Sequence, residues 1–352
     1  MTTAPPLPLT DRSAEARQTS GGAPDVPPDP PVDPPPGLAR SVPDRLAEAH
    51  WAVGHLPAEV ADLAARPDTL APGSAAKVGI LDLAFEVRGG RTELVERYQK
   101  TPLQLMRPLW IDPAQPDTAY VYVMATGGGV AQADRYRIDI RCGPGARVHL
   151  TTQAATKVFR MEQDYATQSV ELTAESGAYL EYLPDPLILF RDARFYQRTT
   201  VTATPGSTVV LGETLTAGRL ARGERHDYRV LATDLEIRRP DGTLLAVDTL
   251  RLMPGDDRSA VTGPAVFDGY DHLGSLFVVS DLRPAAAIAD ALHEALAGRD
   301  LRYGVSTLPE ESGAWLRLLE DSPIRTAEAF SDAWRAVRLL LTGSPAPALR
   351  KT

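Results

Sequence analysis

Apolar and polar residues alternate in short runs between residues 143 and 251. Residues 147–153 have the sequence Arg-Val-His-Leu-Thr-Thr-Gln, and residues 200–204 have Thr-Val-Thr-Ala-Thr. A period of two is typical of a strand with one buried and one solvated face. Turn signals such as Gly-Pro-Gly at 143–145, Pro-Gly at 205–206 and Asp-Gly at 241–242 separate the runs. The pattern predicts a mainly β fold with a large multi-stranded core.

The same period extends the predicted β core in both directions along the chain. We expect further strands at 78–87, 92–98, 103–110, 119–125, 135–141, 269–279, 302–308 and 314–319. The Arg88-Gly-Gly-Arg91 segment is expected to form a hairpin turn between the first two of these strands. We find no internal repeat in the sequence.

Two stretches near the C-terminus have helical periodicity instead. Residues 284–297 are rich in alanine and are followed by Gly298, a residue type that often ends helices. Residues 326–341 carry an apolar stripe that includes Phe330 and Trp334, and Gly343 follows this stretch. The β core is therefore expected to carry C-terminal α-helices.

The N-terminal part of the chain differs in composition from the rest. Residues 1–43 contain twelve prolines and hardly any large apolar residue, which predicts a disordered proline-rich arm. A proline-rich docking ligand is the alternative, but the arm lacks the basic flank common in such ligands. Residues 44–77 are predicted to be a helical linker with two short helices, the second starting near Pro57. Residues 78–350 then form the β domain with its C-terminal helices.

Charge and cysteine content limit the partners and the compartment. The chain has 352 residues and a net charge of −9, which argues against nucleic acid or an anionic membrane as the main partner. Cys142 is the only cysteine, so no intrachain disulfide can form and a reducing compartment is favoured. No run approaches the roughly 20 apolar residues of a membrane span, and the N-terminus lacks a signal-peptide pattern. We therefore expect a cytoplasmic protein.

Sequence motifs for catalysis are missing. No lysine follows a glycine, as a phosphate-binding P-loop requires, and Gly127-Gly-Gly129 lies between predicted strands rather than before a helix. The chain has no Gly-x-Ser-x-Gly motif, and its six histidines are isolated from one another. A structural zinc site is equally unsupported. What remains is a set of carboxylates and arginines among the strands, residues that in most β proteins are solvated or ion-paired.

Short segments along the predicted β domain carry a family resemblance. They are residues 150–157 (Leu-Thr-Thr-Gln-Ala-Ala-Thr-Lys), 180–186 (Leu-Glu-Tyr-Leu-Pro-Asp-Pro), 195–196 (Phe-Tyr), 218–224 (Gly-Arg-Leu-Ala-Arg-Gly-Glu) and 334–343. Together they resemble the urease accessory protein UreD family, also called UreH, over roughly residues 78–350. The family has a Gly-Asp pair after its glycine-rich turn, whereas this chain has Ala133 before Asp134. Alanine enters the φ > 0 region less readily than glycine, so the departure concerns the conformation of that turn.

The resemblance implies a urease maturation chaperone that has no catalytic activity of its own. It implies UreF, the GTPase UreG and apo-urease as partners, with nickel in transit and no tightly bound cofactor. The family places its C-terminal part near UreF, so Trp334, Arg335 and Arg338 are candidate partner-binding residues. The alternative is an enzyme with paired carboxylates on a β scaffold, acting on a carbohydrate or a small acid.

Candidate residues for a nickel path follow from the side chains that the chain offers. Tight binding of Ni²⁺ favours clustered imidazole or thiolate ligands, and the sequence has no such cluster. Carboxylates bind this ion more weakly and suit transit, and a buried carboxylate is costly unless a cation or hydrogen bonds compensate it. The candidates for a transient nickel path through the β core are Asp134, Glu181, Glu213, Glu224 and Asp248.

Overall fold

The computed structural model describes residues 40–64, 78–255 and 258–349. Nearly all of the expected disordered arm, residues 1–39, lies outside the described residues, as does the second part of the expected linker, residues 65–77. The domain boundaries proposed from the sequence therefore stay predictions.

The predicted mainly β fold with C-terminal helices is confirmed. Within the described ranges the chain forms seventeen β-strands and six α-helices. The strands are β1 (Val78–Arg88), β2 (Arg91–Lys100), β3 (Leu103–Leu105), β4 (Ala119–Ala125), β5 (Arg135–Cys142), β6 (Arg147–Thr152), β7 (Thr156–Val158), β8 (Ala166–Ala174), β9 (Tyr179–Tyr182), β10 (Leu187–Leu189), β11 (Arg194–Ala203), β12 (Thr208–Thr216), β13 (Val230–Arg238), β14 (Leu244–Leu252), β15 (His272–Ser280), β16 (Arg302–Thr307) and β17 (Gly313–Glu320). The helices are α1 (Val42–Leu46), α2 (Glu48–Trp51), α3 (Ala58–Ala61), α4 (Ser259–Thr262), α5 (Ala285–Leu296) and α6 (Pro323–Thr342). None of the helices in these ranges is long and apolar enough to cross a membrane.

The strands form two sheets, and the chain passes repeatedly from one to the other. The seven-stranded sheet has the order β14-β13-β11-β8-β5-β1-β2. The ten-stranded sheet has the order β16-β17-β15-β12-β9-β6-β4-β3, with β10 beside β12 and β7 beside β10. Strands β5, β8, β11 and β13 pair in parallel, and so do β4, β6, β9 and β12. Parallel strands that alternate between two facing sheets are the arrangement of a β-solenoid.

Three successive coils of this solenoid begin at the same kind of turn. Gly145, Gly177 and Gly206 have φ values of 68°, 73° and 82°, which glycine adopts without steric cost. Each is followed by Ala or Ser and then by a strand, β6, β9 and β12 respectively. The Gly145 N–H donates to the carbonyl of Ser176 at 3.1 Å, and the Gly177 N–H donates to the carbonyl of Gly206 at 3.2 Å. The chain thus has an internal repeat, contrary to our expectation: a turn made of a glycine and a small residue recurs at positions 145, 177 and 206.

The main hydrophobic core lies between the two sheets. Ile138 of the seven-stranded sheet and Leu150 and Leu211 of the ten-stranded sheet belong to one cluster of buried residues. In each strand these residues occupy alternate positions, as the period of two requires. The space between the sheets is thus mostly apolar, and polar side chains that point into it are exceptions.

The strand predicted at 103–110 is shorter in the structure. Only Leu103–Leu105 pairs with β4. Pro108 has no backbone N–H to donate, and pairing resumes only as an isolated bridge between Leu109 and Tyr120. A proline within the predicted run therefore limits the strand to its first residues.

Helices α5 and α6 cover the outer face of the ten-stranded sheet. Ile288 of α5 and Val337 of α6 pack in one buried cluster with Leu276 of β15. His149 and Thr151, which we expected on a solvated face, are 1% and 2% exposed. That expectation was wrong because alternation shows only that two faces of a strand differ, and not which element covers the polar one.

The N-terminal helices pack on the outer face of the seven-stranded sheet. Trp51 packs against the start of β1, and Val60 packs against β11 and β13. Arg45 and Asp82 of β1 form a buried ion pair at 2.7 Å. We call residues 40–64 the strap, because they run across this face rather than projecting from it.

The strap contains three short helices where two were expected. Ser41 caps α1, so that this helix begins at Val42, inside the arm that we drew to residue 43. Pro57 lies directly before α3, as predicted.

Candidate functional site

The five candidate carboxylates lie in different parts of the molecule. Glu213 of β12 and Asp248 of β14 line one cavity between the two sheets, with a volume of about 320 Å³. Glu181 points to the opposite face of the ten-stranded sheet, where it contacts α6. Asp134 and Glu224 lie in loops between strands. The structure thus brings two of the five residues together and does not place all five on one route.

Polar side chains line the cavity in two facing rows, one on each sheet. The rows consist of cross-strand neighbours: Tyr136, Gln168, Gln197 and Thr233 on β5, β8, β11 and β13, and Glu213 and Ser275 on β12 and β15. Arg317 of β17 is the cross-strand neighbour of Ser275 and lies beyond the residues that line the cavity. The hydrophobic core surrounds these rows. Polar groups in an apolar interior are costly unless they find partners, and these side chains find them in one another: Gln168 Nε2 donates to Gln197 at 3.2 Å, and Gln197 Nε2 donates to Glu213 at 2.9 Å.

Glu213 is held by side chains of the facing sheet. Its Oε1 accepts a hydrogen bond from Gln197 Nε2 at 2.9 Å, and the Thr199 hydroxyl donates to the same oxygen at 3.5 Å. Burial, and after it the negative charge of Asp248, raises the pKa of Glu213 to about 7. Near neutral pH this carboxyl can therefore hold a proton or give it up in exchange for a cation.

Asp248 forms an ion pair that joins the two sheets. It belongs to β14 at the edge of the seven-stranded sheet, and its Oδ2 accepts a hydrogen bond from Arg317 of β17. Arg317 Nε also donates to the Ser275 hydroxyl at 3.2 Å, and the guanidinium lies 5.0 Å from the centre of the Trp315 ring. The Arg317 and Asp248 side chains are 27% and 17% exposed, so the pair lies between the cavity and solvent.

Glu181 belongs to a buried hydrogen-bond network beneath α6. One carboxylate oxygen accepts from the Tyr179 hydroxyl and from Trp334 Nε1, each at 2.9 Å. The other lies 2.6 Å from His149 Nδ1 and accepts from Arg338 at 2.9 Å. Burial opposes its ionisation, but the contacts with His149, Arg338 and Trp334 together hold the pKa of Glu181 below its usual value. Both oxygens are thus occupied in holding α6 on the sheet.

Asp134 closes the turn in which this chain differs from the family pattern. Its carboxylate accepts from the backbone N–H of Ala131 at 2.7 Å and from the Tyr136 hydroxyl at 3.0 Å. Ala133 has a φ of 65°, the left-handed conformation that glycine adopts more readily. The replacement of the family glycine therefore leaves the turn in the conformation that a glycine would favour.

Glu224 is paired with an arginine of its own loop. It accepts from Arg219 Nε at 2.8 Å, and this bond lowers the pKa of the Glu224 carboxyl. The backbone N–H of Arg191 donates to the same carboxylate at 3.2 Å. The Arg219 guanidinium also lies 3.9 Å from the centre of the Phe190 ring. These contacts give Glu224 a structural role in fixing the loop.

The cavity offers oxygen donors rather than a preformed metal centre. Across residues 40–64, 78–255 and 258–349, no group of three or more His, Cys, Asp or Glu side chains could hold a metal ion. Cys142 is fully buried, and burial raises the pKa of its thiol, so it does not present a thiolate. Carboxylate, amide and hydroxyl oxygens suit brief contact with a divalent cation.

The three candidate partner-binding residues differ in exposure. Trp334 is 7% exposed and Arg338 is 0% exposed, so both act inside the molecule. Arg338 donates to Asp112 Oδ2 at 2.7 Å in addition to its bond to Glu181. Arg335 lies on the exposed side of α6, where its guanidinium is 3.4 Å from an Asp332 oxygen. Of the three, Arg335 is placed to contact another protein directly.

Sequence reasoning did not single out Gln197, Ser275 or Arg317. A signal was present for Gln197, because it lies in β11 at the same parity as Phe195 and Val201, both of which are core residues. A polar residue at an apolar position of a strand is the mark of a polar site inside a core. The partners of such a residue come from other strands and could not be read from the sequence.

Comparison with known proteins finds relatives that cover most of the chain. The family described as UreD urease accessory protein matches residues 77–352. Urease accessory protein UreD 2 of Streptomyces griseus is 71% identical over 292 residues, which are 83% of this chain and 100% of that protein. Urease accessory protein UreD of Haloarcula marismortui is 36% identical over 281 residues, 80% of this chain and 93% of that protein. Urease accessory protein UreD of an Arthrobacter species is 39% identical over 251 residues, 70% of this chain and 84% of that protein.

These matches define the class of protein as a non-catalytic accessory protein of nickel-dependent urease maturation. The chain belongs to the UreD family. The alternative of a carbohydrate- or acid-acting enzyme is thereby excluded.

Proposed function

We propose that this chain assembles with UreF and UreG on apo-urease and passes nickel toward the urease active site through the cavity between its two sheets. The observation that carries this proposal is the double row of polar side chains in an otherwise apolar core. Glu213 and Asp248 supply the negative charge of this route, and Gln197 and Ser275 supply neutral oxygens beside it. In this scheme UreG performs the GTP-dependent step, and the assembly works in the cytoplasm.

The route is tested by removing one cavity charge at a time. Glu213→Gln and Asp248→Asn keep the shape of each side chain but remove its charge, so each should lower nickel loading of urease several-fold. Urease activity and bound nickel are measured after maturation with the variant in place of the natural chain, with UreF co-purification as the test of assembly.

Glu224→Gln is the matched control. It removes a carboxylate that pairs with Arg219 outside the cavity, so nickel loading should stay near that of the natural chain. Normal loading with both cavity variants would refute the route, as would an equal loss with all three variants.

We further propose that the exposed side of α6 contributes to the surface that binds UreF. Arg335 is exposed there, beside Asp332 and the 70% exposed Ile324. Trp334 and Arg338 support the surface from below, because their bonds to Glu181 fix the helix on the sheet.

This proposal predicts different effects of two substitutions in α6 on UreF binding and on stability. Arg335→Ala should weaken UreF co-purification without changing the melting temperature, whereas Trp334→Ala should lower both because it leaves Glu181 short of a donor. Arg88→Ala, in the exposed β1–β2 hairpin, is the control and should change neither. Undiminished UreF binding by folded Arg335→Ala and Trp334→Ala variants would place the contact elsewhere.

A further inference from the structure

Arg317 occupies a particular position relative to the two cavity carboxylates. Glu213, Ser275 and Arg317 lie side by side on three neighbouring strands of one sheet. With a strand spacing of about 4.8 Å, the backbones of Glu213 and Arg317 are roughly 10 Å apart. Asp248 reaches Arg317 from the opposite sheet. The arginine therefore sits at the end of the polar row, where a cation leaving Glu213 would next find a carboxylate.

The ion pair joins β14 of the seven-stranded sheet to β17 of the ten-stranded sheet. Asp248 lines the cavity, and both members of the pair are partly exposed, at 17% and 27%. The Arg317 guanidinium donates from Nη2 to Asp248 and from Nε, on the same edge, to the Ser275 hydroxyl. Trp315 provides an aromatic surface beside it. A guanidinium held in this way can leave the carboxylate toward solvent without losing the support of the aromatic ring.

We propose that Arg317 is a charge gate for divalent cations at the end of the cavity. In the closed state its guanidinium neutralises Asp248. A divalent cation that arrives beside Glu213 gains a second carboxylate only by displacing Arg317, whose positive charge moves to solvent. The gate keeps the two carboxylates from acting together as a permanent metal trap, which would prevent onward transfer. This inference rests on the proposed nickel route and adds the residue that controls it.

The first test measures Ni²⁺ binding to the purified full chain. Arg317→Gln removes the competing charge and leaves both carboxylates available, so the dissociation constant for Ni²⁺ should fall by at least roughly tenfold. Arg317→Lys retains a positive charge and should bind Ni²⁺ like the natural chain. The Arg317→Gln/Asp248→Asn double variant should lose the gain, because the second carboxylate is then absent.

The second test measures transfer rather than binding. Urease matured with Arg317→Gln should acquire nickel more slowly than with the natural chain, even though the variant binds Ni²⁺ more tightly. A purely structural role for Arg317 also predicts slower transfer, but it predicts weaker Ni²⁺ binding instead of tighter binding. Arg302→Gln on the neighbouring strand β16 removes an arginine that pairs with Asp268 outside the cavity, and it should change neither quantity.

Folding is checked for every variant by thermal melting. If Arg317→Gln does not fold, Arg317→Met takes its place, because methionine has a similar length and can retain contact with Trp315. Unchanged or weaker Ni²⁺ binding in a folded Arg317→Gln or Arg317→Met variant would overturn the gate. The proposed route has a separate failure: if both Glu213→Gln and Asp248→Asn leave urease loading normal, the cavity does not carry nickel.

Discussion

Glu213 shows how a single residue can be unfavourable for folding and still suit its position. Its neighbours Gln197 and Thr199 stabilise the charged form by hydrogen bonds, whereas burial and Asp248 act against it more strongly. The result is a carboxyl with a pKa of about 7 in place of its usual 4.5. A raised pKa means that the folded state favours the protonated group, so ionising Glu213 at higher pH lowers the stability of the fold.

This predicts a pH-dependent effect of Glu213→Gln on stability. Above pH 7 the natural chain carries an ionised Glu213, and the variant should be more stable by about 3 kcal/mol. Near pH 4.5 and below, both proteins are neutral at this position, and the difference should vanish. Denaturant unfolding at pH 8 and pH 4.5 checks this, with Glu236→Gln on the outer side of β13 as the control. A variant that is less stable at pH 8 would contradict it.

Residue contacts were the part of the site that the sequence could not predict. Gly343 ends α6 with a φ of 70°, as expected, because a helix cap depends on adjacent residues only. The pairs His149–Glu181 and Asp248–Arg317 join residues that are 32 and 69 positions apart. Their meeting depends on strand register, which a single sequence does not state. The five candidate carboxylates therefore could not be sorted by location from the sequence, and their role in a nickel path stays a prediction.

At the scale of elements, α6 is seated on the ten-stranded sheet by glycines as well as by the Glu181 network. Phe330 packs on Gly274 of β15, where an added Cβ would lie 2.2 Å from the aromatic ring. Gly212 of β12 lies under the same ring, with a Cβ at 3.4 Å. The two glycines create the depression in which the ring sits.

Gly274→Ala should therefore disturb α6. The ring must move to admit the methyl group, and we expect a loss of about 1–3 kcal/mol in the free energy of unfolding. Gly304→Ala in β16 is the matched control, because an added Cβ there meets no atom within 4 Å. The control should be neutral or slightly stabilising, since alanine restricts the unfolded chain. Equal stability of the two variants, measured by denaturant unfolding, would show that Phe330 does not fix the helix.

Helices, strands and turns could be predicted where they depend on residues close together in the sequence. The helix with the apolar stripe is present as α6, and the Arg88–Arg91 turn is present between β1 and β2, with both glycines at positive φ. The order of strands was not predictable, because parallel pairing joins strands a full coil apart. Nor was the burial of His149, which results from a helix that follows it by more than 170 residues.

At the scale of the whole molecule, the strap precedes the part of the chain that the family matches. The family match begins at residue 77, whereas the strap covers residues 40–64. It still buries Trp51 and Val60 and forms the Arg45–Asp82 ion pair on the seven-stranded sheet. A segment before the family match thus contributes to the core of this protein.

Deletion of the strap should therefore be costly, and deletion of the arm before it should not. Removing residues 1–64 exposes the apolar surface under Trp51 and Val60, and we expect a loss of about 3–5 kcal/mol in stability. Removing residues 1–39 deletes only a proline-rich sequence with little apolar surface, so the melting temperature should stay the same. Calorimetry on the two truncated chains distinguishes them, and equal melting of both would contradict a stabilising strap.

The stacked turns at Gly145, Gly177 and Gly206 have a consequence for how this chain can change in evolution. Glu181 follows its turn glycine by four residues and points outward to α6, whereas Glu213 follows its own by seven and points into the cavity. Inserting or deleting one residue within a strand would exchange the two faces downstream, so that a carboxylate of the cavity would point into the helix interface. Amino-acid substitutions can therefore change the side chains between the sheets in any coil, but insertions and deletions within a strand would disrupt the fold. Variation in length among descendants of this chain should be confined to the loops between coils.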